Sequence, residues 1–209
     1  METKINKLSG DTAVLYVHGK GGSAAEAEHY KELFPDAYVE GLDYQRDLPW
    51  ETNREIQAAV FELKKKYSRV ILIANSIGAY YSMNADISSK IQRAFFISPM
   101  VDMEGMIANM MIWANVSEKQ LETEGTIKTD FGEDLSWEYL CYVREHPVCW
   151  RVPTDILYGS GDHLMPYDSV KAFAEKTGAS LTVMDGGEHW FHTEEQMSFL
   201  DQWLCKCLE

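Results

Sequence analysis

Apolar residues along this chain come in two rhythms. Short unbroken runs of branched or aromatic residues suit strands buried on both faces, at Thr12 to Val17 (TAVLYV), Val70 to Ala74 (VILIA), Arg93 to Ile97 (RAFFI), Thr154 to Tyr158 and Leu181 to Met184. Between them, spacings of three and four residues suit helices, at Ala24 to Phe34, Glu51 to Lys66, Asp168 to Thr177 and Glu194 to Cys207. In the second of these, Ile56, Ala59, Val60 and Leu63 share one face. Ala37 to Glu40 reads as a further short strand, Tyr44 to Pro49 as a loop, and the polar opening METKINKLSG leaves room for a short edge strand. Strands alternating with helices predict an α/β architecture with a doubly wound, mostly parallel sheet. From about residue 100 to about 150 the rhythm is helical only. That stretch holds Met103, Met106, Ile107, Met110, Met111 and Trp113, a polar link from Thr123 to Asp130 and a helix from Leu135 to Arg144. It reads as a helical lid insertion, with no strand interrupting it, in a single domain of residues 1–209.

Charge narrows the range of partners. The formal net charge of -14, from 19 basic against 33 acidic residues, argues against nucleic acid and against strongly anionic membranes. The one basic run, Lys64-Lys65-Lys66, sits where a helix C-terminus favours cations and reads as a solvated helix end. Cys141, Cys149, Cys205 and Cys207 contain no CxxC pair, and no apolar leader suggests export, so a cytoplasmic setting with packing cysteines is expected. No metal site is expected from them, and no apolar run is long enough to span a bilayer.

The stretch VILIANSIGAYY carries the chemistry. A strand-like run breaks at Ala74-Asn75-Ser76-Ile77-Gly78 and resumes with helical spacing. Such a reversal needs small residues on either side of its tip, and it holds the serine hydroxyl above the sheet. The N–H of Ile77 would then point at the same spot from a helix N-terminus. In a parallel sheet the loops at the carboxyl ends of strands converge on one edge, where ligands bind. Here those loops are HGKGGS after the first clear strand, NSIG, SPM, GSGDHLMP and DGGEHWFH. Among them stand a serine, an aspartate and histidines, in that chain order. The glycine loop does not match a phosphate-binding loop, because Gly21 stands where Ser or Thr must follow the lysine.

On HGKGG, ANSIGA, YGSGDHLMP and GGEHWFH the sequence resembles the α/β-hydrolase fold family, from about Thr12 to Trp203. Its size and insertion resemble the compact bacterial esterases and acyl hydrolases of that fold. The resemblance implies Ser76 as nucleophile, His189 as base and Asp162 as acid, with Gly19, Lys20 and Ile77 lending oxyanion-binding backbone N–H groups. Imidazole has the pKa to take the serine proton, and a carboxylate on its far nitrogen would fix the tautomer. Two departures stand out: Ala74 replaces the usual glycine before the serine, and the leading strand hairpin of larger members is absent or reduced. His192 is a rival base, Asp185 and Asp102 are rival acids, His163 reads as a loop residue and His18 as a structural hydrogen-bonding group. Met106, Met110, Met111, Trp113 and Trp137 are candidates for an apolar acyl pocket, or simply for packing.

The expected activity is cofactor-free hydrolysis of a small-molecule carboxylic ester or thioester through an acyl-enzyme. The alternative is a non-catalytic protein of this fold that uses the cleft to bind a small apolar ligand.

Overall fold

The branched apolar runs assemble side by side because each must bury both faces. The structure, a computed structural model, describes residue 8 and residues 10–45 and 48–208. The opening edge strand and part of the 44–49 loop lie outside them. The chain begins with β1 (Thr12–Val17), then a 3-10 turn (Ala24–Glu26) running into α1 (Ala27–Leu33), β2 (Tyr38–Leu42) and α2 (Pro49–Lys66). Next come β3 (Arg69–Asn75), α3 (Ile77–Asn84) and β4 (Arg93–Ile97). The middle holds α4 (Met103–Trp113), α5 (Glu118–Glu124), β5 (Thr126–Ile127), β6 (Leu135–Ser136) and α6 (Trp137–Glu145). The chain closes with β7 (Thr154–Gly159), α7 (Tyr167–Thr177), β8 (Ser180–Met184) and α8 (Glu194–Cys207). Two compact units result, Met1–Val101 with Cys149–Glu209, and Asp102–Val148.

In the first unit six strands form one sheet in the order β2-β1-β3-β4-β7-β8. Every pairing in it is parallel. Strands β1, β4 and β7 are buried almost throughout, whereas the edges β2 and β8 are half exposed. Alternation along β1 sends Val14 and Tyr16 to one face, where they join Tyr30, Leu33 and Phe34 of the α1 side and Leu200, Trp203 and Leu204 of α8. Trp203 meets Phe95 edge-on, with ring centroids 5.9 Å apart. Helix α2 starts at Pro49, which needs no N–H in the first turn, and ends on Lys64, Lys65 and Lys66. Lys64 Nζ donates to the Ser68 carbonyl at 2.5 Å and Lys65 Nζ to Glu62 Oε1 at 2.6 Å, so the lysines finish the helix.

The order of the strands locates the site. From β1 the chain goes to β2 on one side, then returns to place β3 on the other. At such a switch the loops leaving β1 and β3 turn away from each other and leave a crevice.

The second unit corrects one expectation. Its link is interrupted by a two-stranded antiparallel ribbon, Thr126 opposite Ser136 and Ile127 opposite Leu135. Gly125, at φ 76, ends α5 and lets the chain turn into β5. The Trp137 N–H donates to the Gly125 carbonyl at 2.8 Å, which ties α6 back to that turn. Leu135 is therefore a buried strand residue, and Ser136 caps α6 by accepting from the Tyr139 N–H at 3.2 Å. Two-residue strands leave no periodic trace, which is why the hydrophobic pattern misses them. Arg144 of α6 links this unit's helices, donating to Glu104 at 2.7 Å and to Glu118 at 2.7 and 2.9 Å.

Gly78 fixes how closely α3 approaches β1. A Cβ there would stand 2.4 Å from the His18 carbonyl oxygen and 2.6 Å from that of Val17. Gly78→Ala is expected to lower unfolding stability by about 1–3 kcal/mol through overpacking against backbone, read as a lower urea midpoint at unchanged slope.

Candidate active site

Ser76 occupies the tip of the turn from β3 into α3, at φ 51 and ψ -120. Few side-chain-bearing residues adopt such a backbone, and it persists only where the surroundings hold it. The holding groups are visible: the Ser76 N–H donates to the Ile97 carbonyl at 2.9 Å, and the Ser76 carbonyl accepts from Ala79 at 3.1 Å and from Met100 at 3.1 Å. Gly19 closes the turn from the other side, since a Cβ on it would lie 3.2 Å from the Ser76 Cβ. Ala74 is fully buried in β3 and continues the register with β1 and β4, so its methyl group is accommodated.

Ser76 Oγ lies 2.8 Å from His189 Nε2, and His189 Nδ1 lies 2.7 Å from Asp162 Oδ2. Polarity settles the direction of these bonds. An ionised carboxylate only accepts, so Nδ1 carries the proton and Nε2 presents a lone pair to the Ser76 hydroxyl. The Asp162 side chain is 0% exposed, and its other oxygen accepts from the N–H groups of Leu164 at 2.8 Å and Met165 at 3.1 Å. Three donors thus converge on one buried carboxylate, the arrangement that offsets the cost of burying charge.

Two loops interlock to bring the aspartate and histidine together. A Cβ on Gly159 would fall 2.3 Å from the Gly187 carbonyl oxygen, and the Gly161 N–H donates to that same oxygen at 2.8 Å. Burial pushes the Tyr158 phenol upward, with Asp162 adding to the effect. Its hydroxyl donates to the Met165 carbonyl at 2.9 Å and so steadies the turn that feeds Asp162.

The glycine loop has its own support. The Gly22 N–H donates to the Gly19 carbonyl at 3.1 Å, around Gly21 at φ 72. Glu26 accepts from the Ser23 N–H at 3.0 Å through Oε1 and from the Tyr16 hydroxyl through Oε2. Burial, with Tyr30 and Glu26 nearby, holds the Tyr16 phenol well above the usual tyrosine range. His18 is buried at 6% exposure, stacked on Tyr44 at 4.1 Å, with Nδ1–H directed to the Gly19 carbonyl at 2.8 Å. Gly19 and Lys20 line a cavity of about 300 Å³ beside Ser76, whose far wall is His189 with Leu164 and Trp190 at the rim. Ile77 opens α3, where first-turn N–H groups have no partner within the helix.

The rivals stand elsewhere. His192 is exposed, stacked on Trp190 and bonded through Nδ1 to the Trp190 carbonyl at 2.7 Å. Asp185 accepts from Ser160 Oγ at 3.2 Å, Asp102 caps α4 through the Gly105 N–H at 2.9 Å, and His163 is exposed. Met106, Met110, Met111, Trp113 and Trp137 all belong to the second unit. There Met111 is buried, whereas Trp113 is 56% exposed and edge-on to Phe131 at 6.0 Å. Among the described residues no three His, Cys, Asp or Glu side chains gather as metal ligands, and no helix is long and apolar enough to cross a membrane.

Sequence reasoning missed Glu26, Asn75, Leu164 and Trp190 as cavity residues. Of these Glu26 left a signal, the Ser23-Ala24-Ala25-Glu26 capping box at the start of the helical segment.

No family model matches the sequence, and no curated protein matches it. Solved structures do match. Est1E from Butyrivibrio proteoclasticus superposes with a TM-score of 0.73 at 16% identity, over 94% of this chain and 86% of that one. The mouse alpha/beta hydrolase domain-containing protein 10 gives 0.70 at 15% identity, over 94% and 89%. The hyperthermophilic esterase from Pyrobaculum calidifontis gives 0.67 at 15% identity, over 94% and 76%. The chain has the α/β-hydrolase fold.

The tautomer assignment can be read directly. NMR of the protein is expected to show a downfield His189 Nδ1–H proton that disappears in Asp162→Ala; a His189 proton on Nε2 would contradict it.

Proposed function

We propose that the protein is a serine hydrolase that cleaves small carboxylic esters or thioesters through an acyl-enzyme, using its own side chains and backbone N–H groups. The observation that carries this reading is the pair of contacts Ser76 Oγ to His189 Nε2 at 2.8 Å and His189 Nδ1 to Asp162 Oδ2 at 2.7 Å. They supply what a weak nucleophile needs at neutral pH, a base within reach and a carboxylate to hold that base.

In the first half-reaction Ser76 Oγ attacks the carbonyl carbon while its proton passes to Nε2. The imidazolium is stabilised by Asp162, and the carbonyl oxygen takes up the negative charge. Backbone N–H groups of Ile77 and of Gly19 or Lys20 are the donors proposed for it, each worth about 3 kcal/mol in the transition state. Collapse breaks the bond to the leaving oxygen or sulfur, which departs with the proton from Nε2. Water then repeats the sequence: it gives a proton to Nε2, attacks the acyl carbon and releases the acid as Oγ recovers its proton. Esterases among the matching folds support the substrate class. A reducing cytoplasm suits four cysteines that are not joined in disulfides.

A fluorophosphonate probe is expected to add its mass to the wild-type protein and not to Ser76→Ala, and Ser76→Ala is expected to lose p-nitrophenyl ester turnover while keeping its fold. Unlabelled wild-type protein would instead favour the ligand-binding alternative. Asp162→Asn is expected to lower kcat by up to ~10⁴-fold; a drop below about tenfold would remove Asp162 from the reaction.

A further inference from the structure

A second cavity of about 200 Å³ adjoins the one beside Ser76, and the two share Glu26, Asn75 and Trp190 as a common partition. Its walls are core residues of the sheet unit. Tyr30 of α1, Ile97 of β4, and Phe191 and Leu200 on the α8 side are 4%, 1%, 6% and 2% exposed, and Met197 adds a flexible thioether. The shared lining includes the residue immediately before Ser76 and the residue immediately after His189, so the second cavity lies next to the serine.

We propose that this second cavity receives the acyl part of the substrate, and that the substrate is an ester of a short, neutral, apolar acid. The inference rests on the hydrolase reading. Two features favour the acyl part over the alcohol. The acyl group stays attached to Ser76 while the alcohol leaves and water enters, so it benefits from walls that do not move. The leaving group needs a way out, and the first cavity alone is lined by Leu164, at 42% exposure. Size sets what the walls can cover: an apolar cavity of about 150 Å³ holds benzene, so this one of about 200 Å³ covers a chain of about six carbons. Charge gives the other limit. Glu26 stands at the partition as an acceptor already engaged by the Ser23 N–H and the Tyr16 hydroxyl, and the cavity's one imidazole, His29, is bonded to Asp201 at 2.7 Å. An acyl chain ending in a carboxylate would meet a carboxylate there with no free cation among the described lining residues.

The test is kcat/KM along p-nitrophenyl acetate, butanoate, hexanoate and decanoate for wild type, Met197→Trp and Met197→Ala. Wild type is expected to peak at butanoate or hexanoate and to fall at least about tenfold by decanoate. The hexanoate-to-acetate ratio should drop about tenfold in Met197→Trp and the optimum should lengthen in Met197→Ala. A profile that neither variant moves overturns the proposal, as does one that moves only when the alcohol is lengthened at constant acetyl. Binding of hexanamide to Ser76→Ala protein, followed by calorimetry, reads occupancy without turnover. Binding lost with Met197→Trp supports the assignment, and absent or Met197-independent binding overturns it. Met197-dependent binding in a protein that neither hydrolyses esters nor takes the fluorophosphonate label would sink the hydrolase reading while the cavity stands as a site for short apolar groups.

Discussion

Close backbone contact between α3 and the end of β1 is the constraint from which the site follows. Gly78 lies against the carbonyl oxygens of Val17 and His18, and Gly19 lies against Ser76. No side chain separates the serine turn from the glycine loop. Gly19, Lys20 and Ser76 therefore line one small cavity. The strained backbone of Ser76 is the local cost of this arrangement, and hydrogen bonds to Ile97 at the end of β4 and from Met100, three residues further on, hold it in place.

The opposite wall uses the same device with different residues. Gly159 and Gly187 let the loops after β7 and β8 pass at backbone distance, and the Gly161 N–H bonds across them. The consequence is a rigid separation between Asp162 and His189. The buried carboxylate of Asp162 meets His189 Nδ1 and the N–H groups of Leu164 and Met165, so the contact with the imidazole is built from groups on both loops.

Much of this was legible beforehand because it depends on local signals. Buried parallel strands are written as unbroken apolar runs, and Arg93–Ile97 and Glu194–Cys207 have the limits that their patterns suggest. Ser76, Asp162 and His189 were legible because small residues crowd the turns that carry them. The β5–β6 ribbon was not, since two residues cannot display a period. Nor was the second cavity. Tyr30, Ile97 and Leu200 look like ordinary core residues in sequence, and only the packing of α1 against α8 leaves room between them. Glu26 falls between these cases: its capping pattern could be read, whereas its bond to Tyr16 needs the strand and the turn to be in place.

The separation of 113 residues between Ser76 and His189 bears on how the protein comes into being. A ribosome delivers the serine and its glycine loop long before the imidazole, and the sheet cannot add β7 and β8 until that later portion has emerged. Pairings over such sequence distances form slowly. The hydroxyl at 76 thus waits through the synthesis of a further 113 residues before the imidazole can stand beside it, and the two meet only once the loop after β8 is anchored by α8.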